Sequence, residues 1–271
     1  LVLLVACVQD EEPAPVSEPA TTIPPTPPAS DPAAGEALPA AEAADPMDAP
    51  EEEAESGDEP IYLSIIWHQH QPVYFKDAES NVYERPWVRM HAAKDYVDMA
   101  AILESYPDIQ ATFNLTPSLI EQLDDLTAGA RDSYWVHSEI PAGQLSDEEK
   151  QFILDRFFDT KRRIIDRFPR YSDLLAQRDA GADPLHEFTD DDYRDLQVLF
   201  NLAWTDPDWL AEEPLAGLVA KGTGFEEADK AIVLDEHLRL IEQVVPLHKA
   251  LLDAGQIEVT TTPYAHPAPV G

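Results

Sequence analysis

The sequence is poor in cysteine, and its first quarter contains no lysine or arginine. Cys7 is the only cysteine among 271 residues, which excludes an internal disulfide framework and a zinc site built from cysteines. The first basic side chain is Lys76, and the formal net charge of the chain is −35. Nucleic acid is therefore not expected as a partner, because binding would require a basic face that neutralises phosphates.

Long apolar runs are also scarce, and the one that opens the chain, residues 1–6, is too short to span a bilayer. It resembles the end of a secretory signal peptide whose start is absent. Residues 4–7, LVAC, resemble a bacterial lipobox, in which cleavage precedes the cysteine and the cysteine carries the lipid. We therefore expect residues 1–7 to be a signal remnant and Cys7 to anchor the protein to the cell envelope, outside the cytoplasm. The alternative is a stray apolar end with an ordinary cysteine.

Residues 8–60 are dominated by Ala, Pro, Glu and Asp. Fifteen acidic residues lie between Asp10 and Glu59, and large apolar side chains are almost absent. Such a segment cannot bury enough apolar surface to offset the entropy lost on ordering. The composition predicts a disordered acidic linker that holds a folded domain, residues 61–271, away from the envelope surface.

The folded part begins with a short apolar run that ends in two histidines, IYLSIIWHQHQP at residues 61–72. The run is rich in β-branched and aromatic residues, which predicts a buried parallel strand covered on both faces. His68 and His70 have the same parity and would project to the same side. Polar side chains just past the end of a buried strand occupy the place where α/β proteins hold their active sites.

Two more strands are predicted, at residues 109–115 and 256–262. The first carries Asn114, and the second carries Glu258 and is followed by His266. A helix is expected between the first two strands, and a helical insertion without strands at about residues 127–254. This order predicts an α/β fold with parallel strands and right-handed crossovers.

The residue types at these strand ends leave several functions open. A His-x-His pair after a first strand is typical of several metal-dependent hydrolases, in which His68 and His70 would bind the ion with His266 or an aspartate. Histidine and glutamate would equally bind sugar hydroxyls, with Trp67, Trp87 or Tyr264 as stacking faces. A non-catalytic carbohydrate-binding lipoprotein is a third reading. The two histidines could also merely support neighbouring groups.

A family resemblance favours the sugar reading. The stretch HQHQP at residues 68–72 resembles the first motif of glycoside hydrolase family 57. GQIE at residues 255–258 resembles the second motif, and TTTPYAHP at residues 260–267 continues it in the style of amylase-like members. The stretches YERPW at residues 83–87 and TFNLTPSL at residues 112–119 also fit.

This resemblance implies a fold that is the N-terminal part of an incomplete (β/α)7 barrel with a helical insertion. It also implies a retaining enzyme that hydrolyses or transfers α-glucans. The family's chemistry needs no metal or other cofactor. By motif position, His70 and Glu258 would contact the sugar at the cleaved linkage, with His68 beside them and His266 a weaker candidate. Further candidates for the wall of the substrate site are Trp87, His91 and Asn114.

The catalytic pair is the main departure from the family pattern. The nucleophilic glutamate and the acid aspartate of the family would both fall beyond Gly271, so the sequence predicts a fragment that carries part of the substrate site and no catalytic residue. Glu258 could not replace them, because one carboxylate cannot fill two simultaneous roles.

Overall fold

A computed structural model describes the backbone of residues 2–6 and the whole of residues 62–264. Apart from Tyr62, these residues belong to one unit of the chain. The predicted linker at residues 8–60, the lipidation site Cys7 and the candidate His266 lie outside the described residues.

The described residues form two small sheets and a larger set of helices. The strands are β1 (Val2–Ala6), β2 (Ser64–Gln69), β3 (Lys76–Asp77), β4 (Val82–Tyr83), β5 (Ala111–Leu115), β6 (Arg131–Asp132) and β7 (Ile257–Thr260). The helices are α1 (Trp87–His91), α2 (Val97–Glu104), α3 (Pro117–Thr127), α4 (Ser133–Glu139), α5 (Asp147–Arg156), α6 (Arg162–Ile165), α7 (Pro169–Ala180), α8 (Pro184–Glu187), α9 (Asp190–Ala203), α10 (Pro207–Leu210), α11 (Leu215–Lys221) and α12 (Glu227–Asp253). A π-helical turn, Ala92–Tyr96, joins α1 to α2, and a 3-10 turn covers Ala142–Gln144.

The main sheet has four parallel strands in the order β1-β2-β5-β7. The three strands predicted from the sequence are all present in it, each starting one to three residues later than expected. Their register places Trp67 opposite Phe113, and Phe113 opposite Val259. The predicted parallel β-α-β order is therefore confirmed, and the chain is a mixed α/β protein.

Strand β1 was not expected. Its residues were interpreted as the end of a signal peptide, whereas in the structure they pair in parallel with β2, Ala6 opposite His68. An apolar extended segment can satisfy the backbone groups of a strand that would otherwise be a sheet edge. The pairing does not test whether the segment is cleaved, so the signal remnant stays a prediction.

Helices cover one face of the main sheet. The cluster beneath it contains Phe113 and Leu115 from β5, Leu103 from α2, Leu251 from α12 and Ile257 from β7. On the opposite face Thr112 and Asn114 are half-buried, and Glu258 and Thr260 are exposed. The expectation that the first strand is covered on both faces is therefore wrong for the described residues, and β2 is mostly half-buried.

The helical region between β5 and β7 follows the capping signals in the sequence. Ser146 and Thr189 each form a capping box with the residue three positions later, and they begin α5 and α9. Helix α12 runs for 27 residues with Pro246 inside it, and Gly255, with φ of 71°, follows its end. Residues 127–254 were predicted to lack strands, but β6 pairs with β4; a two-residue strand is too short for a periodic signal.

A buried polar network joins the helical region to the elements around the main sheet. Arg89 on α1 is almost fully buried and donates from Nε to Oδ2 of Asp132 over 2.6 Å, and from Nη1 to Asn201 on α9 over 2.7 Å. The same Nη1 lies 2.9 Å from Nδ1 of His237 on α12, whose Nε2 contacts Thr205. The guanidinium of Arg89 thus connects α1 to β6, α9 and α12, which are distant in sequence.

Candidate functional site

A row of polar side chains crosses the exposed face of the main sheet at the carboxyl ends of three strands. His68, Asn114 and Thr260 lie opposite one another in the register of β2, β5 and β7. Nδ1 of His68 is 2.6 Å from Oδ1 of Asn114, and Nδ2 of Asn114 donates to Oγ1 of Thr260 over 3.0 Å. The strands are parallel and in register, so these three side chains share one face and one level.

Two further predicted residues join this row. The imidazole of His70 stacks on that of His68, with ring centroids 5.6 Å apart and planes 8° from parallel. Glu258 is exposed and lies opposite Thr112 in the register of β7 and β5. Both are two residues before Thr260 and Asn114, so Glu258 projects from the same face. The structure therefore brings His68, His70 and Asn114 together, and it places Glu258 on the same face of the sheet, on β7.

The turn that carries His70 is held from behind by Gln71, which the sequence analysis did not single out. Gln71 is buried; its Nε2 donates to the hydroxyl of Tyr96 over 2.8 Å, and its Oε1 accepts from Tyr74 over 2.7 Å. Its carbonyl accepts from Ser118 over 2.9 Å. A buried amide that is hydrogen-bonded through both its nitrogen and its oxygen restrains the loop that carries it, so Gln71 supports the turn of His70.

Aromatic rings lead from this turn into the helical region. The hydroxyl of Tyr96 donates to the carbonyl of His70 over 3.3 Å, and the ring of Tyr96 lies 6.0 Å from that of His91. The ring centroids of His91 and Trp204 lie 5.9 Å apart with the planes at 71°, and the ring of Trp204 in turn lies 5.4 Å from that of Trp87. Trp204 was missed because a single tryptophan at the end of a predicted helix is typical of a core position.

Two of the predicted stacking residues occupy different surroundings from those expected. Trp67 packs on Phe113 at 5.0 Å, on the helix-covered face of the sheet, so it is not a stacking face beside His68. Trp87 is half-buried and packs in the helical region, with Tyr134 at 6.2 Å. Tyr264 is exposed, and its hydroxyl donates to Glu121.

One group of carboxylates has the geometry of a metal site, but it is not the predicted one. Asp98, Asp206 and Asp208 offer oxygens within 4.8 Å of one another. Burial, reinforced by Asp206, Asp208 and Asp95, raises the pKa of Asp98 to about 6. In the part of the chain that the structure describes, no group of three possible ligands includes His68 or His70; His266, a further ligand in that prediction, lies outside this part.

Comparison with known proteins gives one decisive result. The sequence model of glycosyl hydrolase family 57 matches residues 64–269, well over half of the chain. The chain belongs to glycosyl hydrolase family 57. The resemblance found in the sequence is thereby confirmed, and so is the expectation of a glycoside hydrolase. No curated protein and no solved structure gives a significant match.

The family 57 match begins at the first residue of β2 and includes the whole polar row, Glu258 and His266. Membership of this family implies a carbohydrate substrate. Of the residues on β2, β5 and β7, Glu258 alone carries a carboxyl group. Within the described ranges no helix combines the length and the apolar character that a membrane span requires.

Proposed function

We propose that this family 57 chain supplies part of the substrate site of a retaining hydrolase or transglycosylase that acts on α-glucans. The polar row of His68, Asn114 and Thr260 carries the proposal, because it offers several hydrogen-bonding groups at fixed positions on one exposed face. A few convergent polar groups on a rigid support are how binding sites fix the orientation of a ligand. His70 stacks on His68, Glu258 lies on the same face of β7, and His266 is a further candidate by its motif.

We infer that Glu258 has a binding role and not a catalytic one. A retaining glycosidase needs two carboxyl groups about 5–5.5 Å apart, one as nucleophile and one as acid. Strands β2, β5 and β7 together present one carboxyl group, Glu258. We infer that the nucleophilic glutamate and the acid aspartate come from other strands of a (β/α)7 barrel, in which this sheet is the first part.

Measurements of oligosaccharide binding and of starch hydrolysis distinguish this proposal from the alternatives. Isothermal titration with maltoheptaose should show binding to the chain, and His68→Ala or Glu258→Gln should weaken it at least tenfold. Cellohexaose, with β-linkages, should bind poorly. Variants that bind maltoheptaose as well as the unaltered chain would refute the assigned site. Hydrolysis of starch that Glu258→Gln abolishes would instead make Glu258 catalytic.

We also propose that Cys7 is lipidated and holds the enzyme at the outer side of a membrane. The proposal is supported by the LVAC pattern at residues 4–7 and the acidic segment that follows it. Several acyl chains on one residue give durable anchoring, at about 0.8 kcal/mol per buried methylene. Cleavage before Cys7 would remove β1, so the mature protein would lack that strand. Mass spectrometry of the mature N-terminus should find a lipidated cysteine, and Cys7→Ser should release the protein from membranes.

A further inference from the structure

Two apolar side chains are exposed just after the turn that carries His70. Val73 is 54% exposed and Phe75 is 66% exposed. Tyr74, between them, is half-buried and packs against a hydrophobic cluster to which α3 contributes. The ammonium of Lys76 pairs with a carboxylate on the same helix. Exposure therefore alternates along this segment, and Val73 and Phe75 face outward together while their neighbours turn toward α3.

The backbone on both sides of Phe75 is held in place although its ring is exposed. Gln122 on α3 is buried; its Nε2 donates to the carbonyl of Pro72 over 2.9 Å, and its Oε1 accepts from the N–H of Tyr74 over 3.1 Å. The carbonyl of Phe75 accepts from the N–H of Glu84 over 3.0 Å. A ring on a fixed backbone has only two torsions left to restrict, so little entropy is lost when a ligand covers it.

The exposed ring is continuous with the polar row on the main sheet. Phe75 lies five residues after His70, on the segment that follows the carboxyl end of β2, and the polar row lies at that end. Tyr264, also exposed, follows β7 at the same end of the sheet, and its hydroxyl donates to Glu121 on α3. Glu121 immediately precedes Gln122. Helix α3 thus holds exposed aromatic residues that follow the strands on either side of β5.

The side chain of Phe75 has no polar atom, so a ligand can meet it only through an apolar surface. A glucose unit presents such a surface in the C–H groups of its ring, and its hydroxyl groups suit the nearby polar row. Binding sites for small molecules commonly combine aromatic walls with a few polar groups that fix the orientation of the ligand.

We propose that Phe75 stacks on a glucose unit of the α-glucan, next to the units that the polar row binds. The inference rests on the proposed function, because it assigns a further contact to the same ligand. The polar row orients the glucan, and the ring of Phe75 adds an apolar contact that only a longer oligosaccharide can reach together with the row.

Phe75→Ala tests the stacking contact, and Tyr106→Ala is the matched control. Tyr106 has a similarly exposed ring, at 53%, and it lies between α2 and β5, at the opposite end of that strand from Asn114. Calorimetry on the whole chain measures the dissociation constants. Phe75→Ala should raise that of maltoheptaose roughly fivefold and that of maltose little, because a disaccharide is too short to reach both contacts. Phe75→Tyr keeps the ring and should bind like the unaltered chain, as should the control.

Unchanged affinity of Phe75→Ala for maltoheptaose overturns the inference, and the proposed function stands if His68→Ala still weakens binding. Weaker binding by Phe75→Ala but not by His68→Ala supports the stacking contact and refutes the polar row. No binding of maltoheptaose by the unaltered chain refutes both. Sedimentation velocity tests a different occupant: a dimer that Phe75→Ala dissociates and Tyr106→Ala does not would make Phe75 an interface between two copies and overturn the assigned ligand.

Discussion

His68 and Asn114 lie opposite each other on neighbouring parallel strands, with 2.6 Å between Nδ1 of the imidazole and Oδ1 of the amide. The amide oxygen accepts, so Nδ1 of His68 carries the proton, and a neutral imidazole then offers Nε2 as an acceptor. The amide nitrogen of Asn114 is committed to Thr260. Asn114 therefore fixes both the ring orientation of His68 and its tautomer.

Replacing Asn114 by alanine should weaken oligosaccharide binding while leaving the fold intact. The loss of one oriented hydrogen bond costs about 1 kcal/mol, which corresponds to a roughly fivefold rise in the dissociation constant. Titration calorimetry with maltoheptaose measures it. Gln110→Ala removes an amide just before the same strand and should have no effect. Equal affinities for all three proteins would show that Asn114 does not orient the site.

Removing Arg89 from its ion pair with Asp132 should cost more stability than breaking an exposed pair. Arg89→Met leaves the buried carboxylate of Asp132 without its charge partner, and breaking a buried pair in this way costs about 3–5 kcal/mol. Urea denaturation measures the free energy of unfolding.

The matched control for Arg89 is Lys249→Met, because Lys249 forms an exposed pair with Asp253. Exposed pairs are worth less than about 1 kcal/mol. A loss for Arg89→Met as small as that for Lys249→Met would mean that the polar network is dispensable.

The backbone of the sheet could be predicted from the sequence because each strand has its own local signal. A short apolar run ends in polar residues at His68, Asn114 and Thr260, and each run appears as a strand. The starts of helices could be predicted from capping residues such as Ser146, because a cap is also a local signal. The network around Arg89 could not be predicted, because its partners are separated by 43, 112 and 148 residues and share no local pattern.

His237 should lower the stability of the fold as the solution is acidified from neutral pH, because burial holds its imidazole neutral. Burial, and after it the charge of Arg89, lowers the pKa of His237 well below its usual 6.5. Below pH 6.5 the unfolded chain therefore binds a proton that the folded chain refuses. The contribution of this residue to the free energy of unfolding then falls by about 1.4 kcal/mol for each unit by which the pH is lowered.

His237→Gln tests the origin of this pH dependence. The variant should be less stable than the unaltered chain at pH 7.5, yet its stability should change less between pH 7.5 and pH 5.5. His186→Gln is the control, because His186 is exposed beside Asp183 and should keep the original slope. Urea unfolding at three pH values gives the slopes. A His237→Gln slope as steep as that of the control would contradict the assignment to His237.

Asp98 should have the opposite effect on the pH dependence. Its folded pKa of about 6 lies above the usual value of 3.8 for an aspartate, so the folded chain retains a proton that the unfolded chain has lost. The penalty for ionising it is present above pH 6 and is relieved as the pH falls toward 4. Asp98→Asn should therefore raise the melting temperature at pH 7.5, with a gain that shrinks toward pH 4. Asp173→Asn, at an exposed position, should give no such gain; a gain of equal size would refute the prediction.

The candidate site was only partly predictable. The residues at strand ends, His68, His70 and Asn114, could be found because strand parity and strand order fix where they project. Gln71 and Trp204 could not, because their roles depend on contacts with Tyr96 and Asp159 that form only in the folded chain. Trp67 was assigned to the wrong face although the same parity places it correctly, because neighbouring residues of a strand point to opposite sides of the sheet.

The π-helical turn Ala92–Tyr96 has a consequence for the evolution of this region. Such a turn contains one residue more than a regular helical turn, so residues before and after it are offset by about 100° around the axis. Met90, before the turn, can therefore face the helical core, while Ala100, after it, faces the sheet. The insertion of a single codon in an ancestral regular helix would suffice for one continuous helix to pack against two hydrophobic cores.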